Sequence, residues 1–331
     1  MKAIVHDVFG PPDVLRLQDI DTPVVGDDDV LVRVHAAGVD PGVWHFMAGL
    51  PYMVRLMGLG FRAPKGRVRG GDLAGRVEAV GRNVTRLRPG DDVFGACDPL
   101  RGGSFAEYAR TSADRLAPKP ANLTFEQAAA VPVSACTALQ GLRDGGHVQP
   151  GQKVLVVGAG GGVGTFAVQL AKAFGAEVTG VCSTSKVDLV RSIGADDVVD
   201  YTRADFADGT RRYDLILDTA GRRSLHTLRR ALAPRGTLVI VGGEGGNRWS
   251  GGFGRQILRA PLLSLFVGQK FRPLNAKVVT EDLDVLRGFI ESGKVTPVID
   301  RTYPLAEAPD ALRYVHESSP GGKVVVTVDG T

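Results

Sequence analysis

The chain has 331 residues, enough for one very large domain or two ordinary ones. An apolar fraction of 44% suits a soluble globular protein, and a net charge of +4 is poor ground for a nucleic-acid partner. Three cysteines (Cys97, Cys136, Cys182) make no disulfide framework, no run of apolar residues is long enough to span a membrane, and the N-terminus lacks a signal-peptide core. The expected compartment is the cytoplasm.

Residues 2–5 and 14–18 predict short strands split by a turn at 9–13. The alternation from Val30 to Ala36 predicts a half-buried strand. Strands are expected at 72–80, 92–96, 104–110 and 116–119, with no long helical periodicity in the first 120 residues. The pattern changes at Thr124, an N-cap residue ahead of a helix-forming run, and a second helix is expected over 137–142. Strands and helices then alternate: strand 153–157, helix 163–174, strand 177–182, helix 186–193, strands 197–199 and 214–217, helix 223–232 and strand 237–241. This predicts a doubly wound parallel sheet, with a last strand at 262–267. An amphipathic helix at 281–292, a strand at 298–303, a helix at 307–317 and a strand at 323–328 close the chain. They suit the N-terminal half better than further crossovers. Two domains are therefore expected, one from 1–122 with 270–331 and one from 123–269.

One stretch dominates the second domain. The apolar run Val154–Val157 ends directly at Gly158; Gly160, Gly161, Gly162 and Gly164 follow, and then a helical pattern runs to Gly175. Strand, glycine turn and helix together lay a pyrophosphate on helix N-terminal amides. A flexible linker does not explain an apolar strand that stops at the first glycine. The turn is one residue looser than a strict GxGxxG, whose last glycine would fall at Val163. In NAD sites an acid usually closes the second strand, about 20 residues on. Here that strand runs into Cys182, Ser183, Thr184, Ser185 and Lys186, with no carboxylate. Three hydroxyls and an ammonium suit a 2′-phosphate, which favours NADPH. The same residues also serve as the cap of the next helix, and both roles can hold. Thr219, Val241 and Gly242 end later strands, where ligands of such sheets bind, and Phe266 with Val267 is placed toward the nicotinamide.

Ordered blocks over nearly the whole chain resemble the medium-chain dehydrogenase/reductase superfamily, in its zinc-independent quinone oxidoreductase-like branch. They are 34–40, 70–81, 88–95, 103–108, the glycine turn and 194–201. The resemblance implies a GroES-like β-barrel catalytic domain joined to a Rossmann domain, an α/β fold with the active site in the cleft between them, and a homodimer. In NADPH-dependent members a serine, a lysine and a tyrosine flank the 2′-phosphate, and these fall on Ser183, Lys186 and Tyr201. Tyr201 has an alternative as a strand-end packing residue.

Zinc-dependent relatives carry a cysteine, a histidine–glutamate pair and a further cysteine. Here those positions are Asp40, Gly71 with Asp72, and Val133, with Cys136 nearby but out of register. No metal is expected, and Asp72 is expected to tie down backbone between strands. Without a Lewis acid, a quinone or α,β-unsaturated carbonyl is an easier hydride acceptor than a simple ketone, because charge spreads onto oxygen. The candidate catalytic residues are Asp40, where the family usually has asparagine, Tyr52 as a proton donor, and Thr137 facing the nicotinamide. Asp40 is either a carboxylate, a buried acid, or a cap for the turn at Pro41. Trp44, His45 and Trp249 are candidates for the substrate cleft, and Trp44 serves equally well as core. Residues 52–65 and 242–254 are candidate mobile walls. The expected protein is an NADPH-dependent reductase of small quinones or activated alkenes. An NADP-dependent alcohol dehydrogenase or carbonyl reductase is the alternative, and a crystallin-like NADPH-binding protein is a third reading.

Overall fold

The computed structural model describes residues 1–53, 55, 60, 62–98, 100–242, 260, 264 and 267–328. The chain divides into two compact units: Met1–Cys136 with Val278–Ser292 and Pro297–Thr331, and Thr137–Lys277 with Gly293–Thr296.

The first unit is built on strands. β1 (Lys2–Val5) pairs antiparallel with β2 (Arg16–Asp19). The long β3 (Asp29–Val39) is central to a second sheet with β4 (Asp72–Val80), β5 (Asp92–Ala96), β6 (Tyr108–Ser112), β7 (Leu116–Pro118), β14 (Ile299–Pro304) and β15 (Lys323–Thr327). The order is β14-β15-β3-β4-β5-β7, with β6 also pairing β3. Its core holds Val30, Val32, Val34, Leu73, Val93 and Phe105, together with Val324 and Val326 from the far end of the chain. That pairing is why residues 297–331 belong here: β15 lies antiparallel to β3, Val324 opposite Val39.

A helix not expected from the sequence interrupts this unit. Helix α1 (Pro41–Ala48) has Pro41 at its first position, where the missing N–H costs nothing, and ends on Gly49 in the left-handed region at φ 62°. It buries Val43 and Met47, too short a stripe to show as periodicity. Helix α2 (Phe125–Ala129) starts at Thr124 as expected, with Thr124 and Gln127 forming a reciprocal capping box. Residues 123–136 fall in this unit rather than the other because α2 packs on β3 and β4. Helices α7 (Thr280–Glu291) and α8 (Ala308–Ser318) complete it.

The second unit is a six-stranded parallel sheet in the order β10-β9-β8-β11-β12-β13. Its strands are β8 (Lys153–Val157), β9 (Glu177–Cys182), β10 (Asp197–Asp200), β11 (Tyr213–Asp218), β12 (Leu232–Ile240) and β13 (Lys270–Pro273). Helices α4 (Gly162–Ala173), α5 (Val187–Ser192) and α6 (Leu225–Ala231) connect them. Order reverses at β8, the switch point where ligands of such sheets bind. The sixth strand is a correction. Ser264 is helical and Val267 lies in a bend, while the edge of the sheet is Lys270–Pro273. Phe271 is buried against the apolar face of this unit, and that burial selects the later segment. Helix α3 (Pro132–Gln140) begins five residues before its expected start, so Thr137 lies inside it rather than at its head.

Candidate functional site

Two sets of residues stand out, one in each unit. In the second unit, β8 ends at Gly158, whose φ of 86° is in the left-handed region. Gly158 donates its N–H to Val181 O, and Gly161 donates to Gly158 O, which closes the turn (both 3.0 Å). Gly164 is required by close approach, since a Cβ there would stand 2.1 Å from Gly158 O. Gly161 differs: a Cβ there would meet only Gly158 O, at 3.5 Å. Gly161 is also the N-cap of the twelve-residue α4 and contributes no side-chain cap. The first-turn amides from Gly162 and Val163 onward are therefore covered by no capping side chain, as pyrophosphate binding demands. The donor set fits a dinucleotide.

Lys186 reaches this turn, because a Cβ at Gly160 would lie 2.7 Å from Lys186 Cδ. Ser183 Oγ is 3.3 Å from Ser185 Oγ. The Thr184 hydroxyl donates to Asp200 Oδ2 at 2.6 Å. Asp200 was missed by sequence reasoning, which looked for an acid on β9 alone. Parallel pairing sets Asp200 beside Cys182, so β10 brings a carboxylate to the end of β9. Hydrogen bonds from Thr184 and Thr202 hold that carboxyl below its ordinary range, so its charge is already answered. Tyr201 is 46% exposed at the end of β10, and its N–H donates to Cys182 O.

Thr219 ties strand ends together, donating Oγ1 to Val157 O at 2.8 Å. Beside it lies a second missed carboxylate. Asp218 is fully buried, and its Oδ1 accepts the amides of Ala220 (3.2 Å) and Gly221 (3.0 Å). Burial pushes its carboxyl up to about 6. Val241, Gly242 and Val267 are half-buried, while Phe266 and Trp249 lie outside the described residues, as do most of residues 242–254.

In the first unit the organising residue is Lys323, the first residue of β15. Its ammonium is buried against Asp40 Oδ1, and it donates to Asp72 Oδ2 (3.0 Å) and Ser134 Oγ (3.2 Å). Asp72 Oδ1 accepts Val133 N–H at 2.8 Å, which is a tie between strand and helix backbone. Asp40 stands at the N-cap of α1 with suitable backbone angles yet makes no cap hydrogen bond, so its side chain serves Lys323 and not the turn. Proximity to the Lys323 ammonium holds the Asp40 carboxyl below its ordinary range, while burial and the neighbouring Asp40 charge push Asp72 well above it. Lys323 gave no sequence signal, because a lysine at the start of a strand is ordinarily solvated.

The candidates Trp44, His45 and Tyr52 make contacts within the first unit. Trp44 stacks on His316 of α8 at 4.0 Å and 7°. This covers one indole face and gives Trp44 a role in joining α1 to α8. His45 Nδ1 pairs with Leu50 O at 3.0 Å, closing the turn after α1. Tyr52 packs against Arg55, whose guanidinium lies 4.9 Å from the Tyr52 ring and 4.4 Å from that of Phe9. Thr137, the first residue of the second unit, is 9% exposed within α3.

A divalent metal does not fit the first-unit set. Both carboxylates at the relatives' ligand positions are taken up by a lysine, and among the described residues no group of three or more His, Cys, Asp or Glu side chains is placed to hold one.

Residues 26–121 match the alcohol dehydrogenase GroES-like domain and residues 193–326 match the family described as zinc-binding dehydrogenase. Fold and turn thus define a nicotinamide-dependent oxidoreductase. The chain is 33% identical to the mitochondrial NAD(P)H oxidoreductase RTN4IP1 of Mus musculus, over 99% of this chain and 89% of that one. It is 34% identical to the chloroplastic NADPH-dependent alkenal/one oxidoreductase of Arabidopsis thaliana, over 98% and 79%. The quinone oxidoreductase structure from Coxiella burnetii superposes with a TM-score of 0.86 at 28% identity, covering 99% of both chains. The chain belongs to the medium-chain dehydrogenase/reductase superfamily, in its quinone oxidoreductase-like branch.

Proposed function

We propose that the protein is an NADPH-dependent, zinc-independent reductase of quinones or α,β-unsaturated carbonyl compounds. The observation that carries this reading is the commitment of Asp40 and Asp72 to Lys323. With those carboxylates engaged, the favoured acceptors are ones whose own conjugation takes up the developing charge. The printed activities of the Arabidopsis alkenal/one oxidoreductase and the Coxiella quinone oxidoreductase support that substrate class. NADPH, when bound, supplies the hydride. Gly158 to Val163 would hold its pyrophosphate, and Lys186 with Ser183 would meet the 2′-phosphate. Tyr201, exposed beside Cys182, would flank it. A cytoplasmic location belongs to the same reading, as does a homodimer joined along the β13 edge of the sheet.

Stopped-flow oxidation of NADPH against quinones, enones, ketones and secondary alcohols tests the chemistry. Quinones or enones are expected to react fastest; alcohol oxidation at a matching rate would refute the proposal. Lys186→Ala should weaken NADPH binding by about 10-fold or more, the weight of one charge-assisted contact, and leave NADH nearly unchanged. Equal weakening of both cofactors would remove Lys186 from the phosphate site.

A further inference from the structure

The amino ends of the strands in the second unit border a cavity of about 430 Å3, lined by Arg212, His226, Arg229, Arg230 and Gln269. Arg212 directly precedes β11 and Gln269 directly precedes β13. The glycine turn instead follows the carboxyl end of β8, which runs parallel to β11. The cavity and the turn therefore lie at opposite ends of the sheet, the length of a strand apart, roughly 17–20 Å. The volume is in the range of small-ligand sites.

The charges around it have one sign. His226, Arg229 and Arg230, at i, i+3 and i+4, share one face of α6. No carboxylate lines the cavity, and among the described residues none of its three guanidiniums forms an ion pair. The neighbouring Arg211 does, with Asp197. Asp208 is held below its ordinary range chiefly by hydrogen bonds from Thr210, and only last by the Arg230 charge, and it lies outside the lining. Neutral groups tether the arginines instead. Gln269, 9% exposed, accepts Arg229 Nε at 3.1 Å, and its amide donates to Arg229 O (3.3 Å) and Ala233 O (3.2 Å). Arg212 Nη1 donates to Arg230 O and Leu232 O. The carbonyls ending α6 are thus already satisfied, and the Arg229 and Arg230 side chains are not needed to cap it. Two guanidiniums are fixed in place with N–H donors to spare and their charge unanswered.

We propose that this cavity is a second anion site, which binds a soluble phosphate monoester or diphosphate of metabolite size apart from the dinucleotide turn. Paired guanidinium forks match phosphate oxygens in geometry as well as charge. Arg212 and Arg229, tethered by neutral partners, supply preformed donors, and Arg230 adds a third cation. His226 offers a ring nitrogen, and Pro234 with Val267 gives the organic part of the ligand an apolar wall. No bond is made or broken there. The inference does not depend on which acceptor the nicotinamide reduces.

Calorimetry of the whole protein, loaded with one equivalent of NADPH to fill the glycine turn, tests this with inorganic pyrophosphate as the probe at constant ionic strength. The loaded chain should bind pyrophosphate at a single site. Arg230→Gln removes a guanidinium that makes no hydrogen bond among the described residues. It should weaken pyrophosphate about 10-fold, and Arg229→Gln combined with it about 100-fold, as for loss of charge-assisted contacts. Melting temperature and NADPH affinity should stay close to wild type in both variants. Absence of pyrophosphate binding, or equal binding by the wild type and the double variant, overturns the proposal. A loss in Lys186→Ala as large as in the double variant also overturns it, because the probe would then lie in the glycine turn. Arginine-dependent capture of anionic vesicles or of an oligonucleotide, with no pyrophosphate bound, would overturn the soluble ligand.

Discussion

Replacing Asp218 by asparagine tests how burial sets a carboxyl in this fold. The residue ends β11, is fully buried and keeps Oδ2 without a partner. Desolvation raises its carboxyl from 3.8 to about 6, and the amides of Gly221 and Ala220 hold the rise back. A shift of about two units corresponds to about 3 kcal/mol between protonation states. The folded value lies above the unfolded one, so the contribution is fully present below pH 3.8 and is lost as pH rises through about 6. Asparagine keeps the Oδ1 acceptor and cannot ionise. The stability difference between Asp218→Asn and wild type should therefore move by about 2 kcal/mol in the variant's favour from pH 4 to 7, the rest of the change falling below pH 4. Denaturant midpoints measured across that range, following the second unit's transition, check this. Parallel pH profiles for the two proteins would refute the reasoning, whatever their constant offset.

The glycine turn separates packing from binding. Gly164→Ala places a Cβ 2.1 Å from Gly158 O and should lower the melting temperature, whereas Gly161→Ala meets nothing closer than 3.5 Å. The latter should melt like the wild type yet bind NADPH more weakly by fluorescence titration; equal melting losses would contradict that division. Thr124→Ala removes the hydroxyl that accepts the Gln127 N–H, leaving the backbone half of the capping box, and should cost about 1 kcal/mol, visible as a small drop in melting temperature with cofactor affinity intact.

Local physics made much of the fold legible. Strands β4, β5, β8 and β9 fall where alternation or apolar runs place them, because their periodicity is complete within a few residues. Thr124 declared a helix start by its own hydrogen bonds. The short α1 was hidden because an eight-residue helix buries too few positions to show a period. The edge strand was misplaced because 262–267 is the apolar run, whereas Lys270–Pro273, with Lys270, Arg272 and Pro273, shows no strand pattern and is identified only by its pairing with β12.

The sequence by itself determined the glycine turn: strand, glycines and helix form a local device, complete in consecutive residues from Gly158 to Gly164. Ser183 and Lys186 followed by the regular return of the next strand. Only tertiary structure decided the charged cluster. Lys323 lies 283 residues from Asp40 and 251 from Asp72, and nothing near any of them in sequence announces the others. Antiparallel pairing of β15 with β3, and of β3 with β4, brings them together. Burial then turns what would be three ordinary surface charges into a linked set, because a charge removed from water must find its partner inside the protein.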